Sequence, residues 1–211
     1  RLQSVVASTS DPIEYDAKAN STAGQMITWV FIPLIGLSAM LAYERANGTL
    51  RRLLVTPTSK ATFLGGTILG QGLTALVQMS ILIVFGILVM KMKWGQSPAG
   101  LAMVMLSFTL AAAALGTMLG TFVKSESQAN GLSVLIGMLM AMMGGCWYPI
   151  ELFPAGIRSA AQVLPTYWAM QGFLDIAVRG QGPAGVLQEC AVLLGFALLF
   201  FSVGIARFRY E

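Results

Sequence analysis

The sequence predicts an all-α, polytopic membrane helix bundle, and three observations predict it. Charge is scarce, charge is missing from long intervals, and hydropathy is high. The chain has 211 residues with 13 Lys and Arg against 9 Asp and Glu, so charged residues make up 10% of it, while 56% are hydrophobic. Soluble domains carry about 25% charged residues. The intervals 19–43, 61–90, 94–123, 127–150 and 190–206 contain no charged residue, although together they make up more than half of the chain. Mean hydropathy is +0.73. A bilayer core about 30 Å thick needs about 20 apolar helical residues to cross it, and a charge at mid-span costs about 2.5–3.5 kcal/mol. The five intervals therefore predict five transmembrane helices. Five buried helices of a soluble protein are the rival reading, but too little polar chain would remain to cover them.

The elements follow in order. Residues 1–22 are polar and mixed in charge (Asp11, Glu14, Asp16, Lys18), with a turn signal at Asp11-Pro12, and are expected to end an extracytoplasmic segment. They show no basic leader followed by a short apolar run, so they do not read as a signal peptide. The first span is expected over about 24–42 and stops at Tyr43-Glu44-Arg45. A loop over 44–60 carries four basic residues, Arg45, Arg51, Arg52 and Lys60. The second span covers about 63–90, and the turn Lys91-Met92-Lys93 leads to a third over about 98–123. Lys124-Ser125-Glu126 makes a tight connection to a fourth span over about 129–148. A non-spanning segment over 151–186 precedes the last span, about 187–206, and a basic end at Arg207-Phe208-Arg209.

Orientation rests on the first span, whose flanks are Lys18 on one side and Arg45, Arg51 and Arg52 on the other. By the positive-inside rule the amino terminus lies outside and the carboxyl terminus inside. Five spans that start outside imply a sixth upstream.

Composition also excludes chemistry. There is no His, and the cysteines, Cys146 and Cys190, both sit in apolar stretches, so no metal-ligand set or disulfide framework is expected. No G-x-x-x-x-G-K-[ST] loop is present, so the chain is not expected to bind ATP by that route. The formal charge of +4 fits basic loops at a lipid surface, and no basic stripe suggests nucleic acid. Paired carboxylates or a G-x-S-x-G motif of a membrane enzyme are also missing from the spans. Ion-coupled carriers bury charged groups at membrane depth. With none expected there, such a carrier would have to rely on backbone carbonyls at a break such as Pro33 or Gly144-Gly145. A non-transporting scaffold is a further alternative. If the chain transports, its energy is more simply delivered from outside.

The loop ERANGTLRRLLVTPTSK, residues 44–60, is the place for that delivery. Leu50, Leu53 and Leu54 stand at i, i+3, i+4 with Arg51 and Arg52 beside them. A short amphipathic helix fits, with a turn at Gly48 before it and Pro57 ending it. Such a helix can lie on lipid phosphates or serve as a rigid lever. The residues Glu44-Arg45, Gly48-Thr49-Leu50, Arg52-Leu53-Leu54 and Thr56-Pro57 resemble the E-(R/K)-x-x-G-T-x-x-x-L-x-x-(T/S)-P signature of ABC-2 type exporter permeases. Trp147-Tyr148-Pro149, Glu151-Leu152-Phe153-Pro154, Leu164-Pro165-Thr166-Tyr167 and Gly172-Phe173 are similar to that family's outer re-entrant region. The resemblance covers roughly 23–209 and implies an ABC-2 type transmembrane domain over 23–211, with five spans visible of six.

It further implies a multi-pass protein of the plasma (inner) membrane of a bacterium or archaeon, with no catalytic residues of its own. Its implied partners are a separate ABC ATPase subunit, which binds the ATP and magnesium, and a second permease copy or paralogue. Glu44 to Pro57 becomes the coupling element. Glu44 and Arg45 are then expected to anchor it to the first span, and Arg51 and Arg52 to meet an acidic groove on the ATPase. Because the spans carry no charge, the expected cargo is hydrophobic or amphipathic, drug-like or lipid-like, moved outward.

Three further patterns complete the candidate sites. Ala112, Gly116 and Gly120 share one face of the third span, and Gly66 and Gly70 repeat the spacing in the second, which suits close helix packing. Met138, Met140, Met142 and Met143 crowd the fourth span; Met138 and Met142, with Trp147 and Tyr148, are candidates for a substrate path, although thioethers also serve as core filler. Pro149, Pro154 and Pro165 break the chain ahead of an amphipathic helix on which Gln171, Asp175 and Arg179 are spaced to interact. That region is expected to form an outer gate or an interfacial support.

Overall fold

The computed structural model describes residues 16–48, 59–92, 94 and 97–208, which form helices joined by short turns, with no strand among them. Helix α1 runs over Ala17–Ile35 and α2 over Leu37–Ala46. The first helix begins seven residues ahead of the expected span because Asp16 caps it, accepting from the backbone N–H groups of Lys18 at 2.9 Å and Ala19 at 3.2 Å. Serine does the same for the three helices after α2: Ser59 caps α3 (Lys60–Leu88), Ser97 caps α4 (Pro98–Gly120) and Ser125 caps α5 (Glu126–Met143). A 3₁₀ turn at Ile150–Leu152 and the short α6 (Ala155–Ala161) lead to α7 (Pro165–Ala177) and α8 (Leu187–Arg207).

Among the described residues four helical stretches are long and apolar enough to cross a membrane: Ala17–Ala46, Lys60–Leu88, Pro98–Gly120 and Leu187–Arg207. The expected fourth span is α5, which is shorter than drawn from the sequence. It has 18 residues, about 27 Å at 1.5 Å per residue, and its first turn is the polar run Glu126-Ser-Gln-Ala-Asn. Charge exclusion over 127–150 marked an apolar interval, not the length of one helix, because the turn at Gly144-Gly145 ends the helix early.

At the centre lies α4, whose Ala111, Ala112, Ala113 and Ala114 are almost completely buried. Its longest packing partner is α8; α3, the α1–α2 pair and α7 complete the ring, while α5 packs mainly on α1 and α2. The helices alternate in direction, so the bundle has two ends. One, the Arg45 end, gathers Ala46, Lys60, Gly120, Glu126 and Arg207. The other, the Trp147 end, gathers the start of α1, the turn after α5, α6, and the starts of α4 and α8. Between them α3 exposes Leu69, Leu73, Val77, Ile81 and Leu88, and α8 exposes Leu194, Leu198 and Leu199, as helices facing hydrocarbon do.

The break between α1 and α2 has a local cause. Pro33 lies inside α1 and has no N–H, so the Trp29 carbonyl loses its i+4 donor. In a membrane such a carbonyl must find another partner, and Gln78 of α3 supplies it, its Nε2 donating to Trp29 O at 3.3 Å. At the junction, Ser133 of α5 donates to the Ile35 carbonyl at 3.2 Å and pairs with Ser38 of α2 at 3.0 Å. Gln78→Leu is therefore expected to destabilise the full-length protein by about 1 kcal/mol. In a Pro33→Ala background, which restores the helix donor, the same change should cost close to nothing. Thermal unfolding of the four members of this cycle in detergent is the check.

The segment over 151–186 does not behave as one amphipathic surface. On α6, Ile157 and Arg158 are exposed, but α7 is inserted among α1, α4 and α8, with Ala169, Met170, Phe173 and Ile176 fully buried. Asp175, placed by spacing on a polar face, is only 4% exposed. The ion pair it makes with Arg179 offsets the burial of its charge.

Candidate coupling site

The structure describes both ends of the loop over 44–60 and not its middle. The expected amphipathic helix and Thr49, Leu50, Arg51, Arg52, Leu53, Leu54 and Pro57 lie outside the described residues. On the entry side, α2 closes with Asn47, whose side chain donates to the Tyr43 carbonyl at 3.0 Å. Gly48 follows at φ +70°, a backbone region that L side chains rarely adopt, and turns the chain out of the helix.

Arg45 carries the main tie. Its Nη1 donates to Val123 O and its Nη2 to Gly120 O, each at 3.1 Å. Gly120 is the last residue of α4 and Val123 lies in the turn just past it, where helix carbonyls lack intrahelical donors and the macrodipole is negative. One guanidinium thus closes the end of α4 and binds α2 to it. Glu44, expected to share this role, is half-buried and makes no ion pair among the described residues.

The exit side is tied as well. Lys60, the first residue of α3, donates from Nζ to the Phe208 carbonyl at 2.9 Å, just past the end of α8. Arg207 of α8 sits over the Phe122 ring, 4.8 Å from its centroid, beside the α4 end that Arg45 holds. The two flanks of the loop are thereby fastened to the ends of α4 and α8, the most extensively packed pair in the bundle.

Small residues bring these parts together. Ala112 is fully buried, and Gly116 and Gly120 face the α1–α2 junction. A methyl group at Gly116 would overlap the Leu34 carbonyl and come within 3.0 Å of Ile35 Cα. One at Gly120 would lie 2.7 Å from Leu41 Cδ1 and 3.2 Å from Ser38 Cα. The stripe lets the broken helix rest on the α4 backbone, which brings Arg45 within reach of the α4 end. Gly66 and Gly70 do not join it: a methyl at either would meet nothing within 4 Å.

At the other end, Met138, Met142 and Tyr148 are exposed on this chain. The Trp147 indole donates to Thr28 Oγ1 at 3.2 Å, and Thr28 in turn donates to Gly24 O at 2.8 Å. Pro149 precedes the 3₁₀ turn, Pro154 precedes α6, and Pro165 is the first residue of α7. Close contacts that the sequence does not announce build this end. Gly24 lies so close to Cys146 that an added methyl would overlap its carbonyl, one at Gly144 would meet the Thr166 hydroxyl, and Thr166 donates to Met140 O at 2.6 Å. Sequence reasoning assigned no role to Gly24, nor to Glu189, which stands just outside a charge-free interval yet is buried in the first turn of α8. Among the described residues no group of three His, Cys, Asp or Glu could hold a metal ion.

The arrangement is mechanical: a loop whose two flanks are fastened to helix ends. The family model "ABC-2 family transporter protein" matches residues 14–206. The chain is 28% identical over 191 residues to the linearmycin resistance permease protein LnrN of Bacillus subtilis (strain 168), covering 90% of this chain and 49% of that protein. It is 27% identical over 172 residues to the putative transport permease YvfS of the same organism (79% and 67%). To the inner membrane transport permease YhhJ of Escherichia coli (strain K12) it is 29% identical over 186 residues (87% and 49%). It thus spans about half the length of LnrN and YhhJ, and no solved structure matches. With the family model matched across nearly the whole bundle and both flanks of the 44–60 loop inside the match, the chain belongs to the ABC-2 family of transporter proteins.

Proposed function

We propose that this chain is the transmembrane permease part of an ATP-driven exporter, working as a pair with a second permease copy or paralogue and powered by a separate ATPase subunit. ATP and magnesium bind on that ATPase, and this chain supplies no catalytic residue. The observation that carries the reading is the fastening of the 44–60 loop at both flanks, Arg45 to the end of α4 and Lys60 to the end of α8. A push delivered to the loop would reach the central helix pair without first bending α2 or α3.

The cargo is hydrophobic or amphipathic. The scarcity of charge in the bundle supports this, as does the resistance named for LnrN. Arg51 and Arg52 meet an acidic surface of the ATPase. Reversing both charges, Arg51→Glu with Arg52→Glu in the full-length protein, is expected to abolish the stimulation of ATP hydrolysis by amphipathic compounds while membrane insertion stays normal. Stimulation at the wild-type level would remove the coupling role.

A further inference from the structure

At the Trp147 end, between the 3₁₀ turn, α6 and the start of α7, lies an open cleft of about 430 Å³, within the range of small-ligand sites. Its polar lining comes from Glu151, Arg158, Ser159, Gln162, Tyr167 and Gln171. Glu151 and Arg158 carry opposite charges, and among the described residues neither has an ion-pair partner. Arg179 approaches Gln171 Oε1 at 3.3–3.4 Å, which leaves the Gln171 amide N–H groups to donate into the cleft.

The segment that forms this cleft also presents bare apolar surface. Leu152 is 74% and Val163 69% exposed, and Ile157 is exposed next to Arg158. Beside them stand the exposed aromatics Trp147 and Tyr148, of the kind that settle at the membrane–water boundary. A polar cleft with both charges, bordered by large side chains that favour acyl chains, suits the head-group region of a bilayer.

We propose that this cleft binds the head group of a zwitterionic phospholipid in the adjacent leaflet. Arg158 takes the phosphate through charge-assisted hydrogen bonds, Glu151 takes the ammonium, and Gln162, Tyr167 and Gln171 meet the phosphate and ester oxygens. Leu152, Ile157 and Val163 lie against the acyl chains. Neither charged residue alone accounts for the selectivity: an anionic head group would satisfy Arg158 and be repelled by Glu151.

The test uses the full-length permease in detergent micelles doped with phosphatidylethanolamine or phosphatidylglycerol, with retained lipid read by native mass spectrometry. Wild type is expected to retain phosphatidylethanolamine about tenfold or more over phosphatidylglycerol, the discrimination that one charge-assisted contact supplies. Glu151→Gln should shift the preference to phosphatidylglycerol, Arg158→Gln should lose retention of both, and Arg207→Gln at the opposite end should keep the wild-type pattern. Equal retention of the two lipids by wild type, or wild-type retention by Arg158→Gln, overturns the proposal. Displacement of the lipid by free glycerophosphoethanolamine as effectively as by phosphatidylethanolamine overturns the lipid assignment in favour of a soluble zwitterion.

Discussion

Replacing Gly24 with Ala is expected to be among the most damaging single-methyl changes in this chain. The added Cβ would overlap the Cys146 carbonyl and lie 2.9 Å from Cys146 Cα. Both obstacles are backbone, so no side chain can swing aside. The turn after α5 is itself held, since Cys146 N donates to Ala141 O at 3.0 Å and the Trp147 indole reaches Thr28. Either α1 or that turn must move, at a cost of about 3 kcal/mol, and the Trp147–Thr28–Gly24 chain of hydrogen bonds parts. Gly66→Ala is the control. Nothing lies within 4 Å of its new methyl, and Ala gains up to about 1 kcal/mol over Gly in a helix interior. Thermal unfolding of full-length protein in detergent should show a large fall for Gly24→Ala and no fall for Gly66→Ala. A fall for Gly66→Ala confined to the assembled pair would place that face at a subunit contact.

Arg45→Ala should have the second largest effect. It removes two charge-assisted hydrogen bonds and leaves the Gly120 and Val123 carbonyls without them at the end of α4. Bonds of this type contribute about 1.5–3 kcal/mol each; for a partly buried pair sharing one side chain, about 3 kcal/mol in total is expected. That corresponds to a fall in Tm of roughly 6–12 °C at this chain length. Arg45→Lys should recover less than half of the loss, because one ammonium cannot place two fixed donors on two carbonyls as a planar guanidinium does. Full rescue by Lys would mean that charge alone, and not the forked geometry, holds the helix end.

Much of the fold was legible in the sequence because its cause is local in composition. A bilayer excludes charge, so charge-free intervals mark apolar helices wherever these pack. What the bilayer does not control was harder to read. The start of α1 depends on the Asp16 cap, and Lys18 beside it looked like exposed chain. The end of α5 depends on a glycine turn inside an apolar run. The burial of α7 depends on where α1, α4 and α8 leave room for it, which the spacing of Gln171, Asp175 and Arg179 does not encode.

The candidate site divides in the same way. Glu44, Arg45 and Gly48 could be picked out by motif and turn chemistry, and Gly48 does adopt the left-handed conformation. The partners of Arg45 could not be read, because they are backbone carbonyls about 75 residues away, and a carbonyl has no sequence signature. Glycines show the limit clearly. The spacing of Gly116 and Gly120 matched that of Gly66 and Gly70, yet only the first pair meets a neighbouring backbone. Gly24 meets one too, with no spacing to announce it.

If Arg45 makes the end of α2 and the end of α4 one body, force entering the 44–60 loop moves them together. Spin labels at Asn47 and Lys124, both exposed, report on that body, and a label at Tyr148 marks the opposite end. In the full-length permease assembled with its ATPase, pulsed dipolar distances would be measured with and without a non-hydrolysable ATP analogue. The account predicts that the Asn47–Lys124 distance stays constant while Asn47–Tyr148 changes, and that Arg45→Ala frees the first distance to vary. A nucleotide-driven change in Asn47–Lys124 as large as that in Asn47–Tyr148, with Arg45 intact, would contradict it.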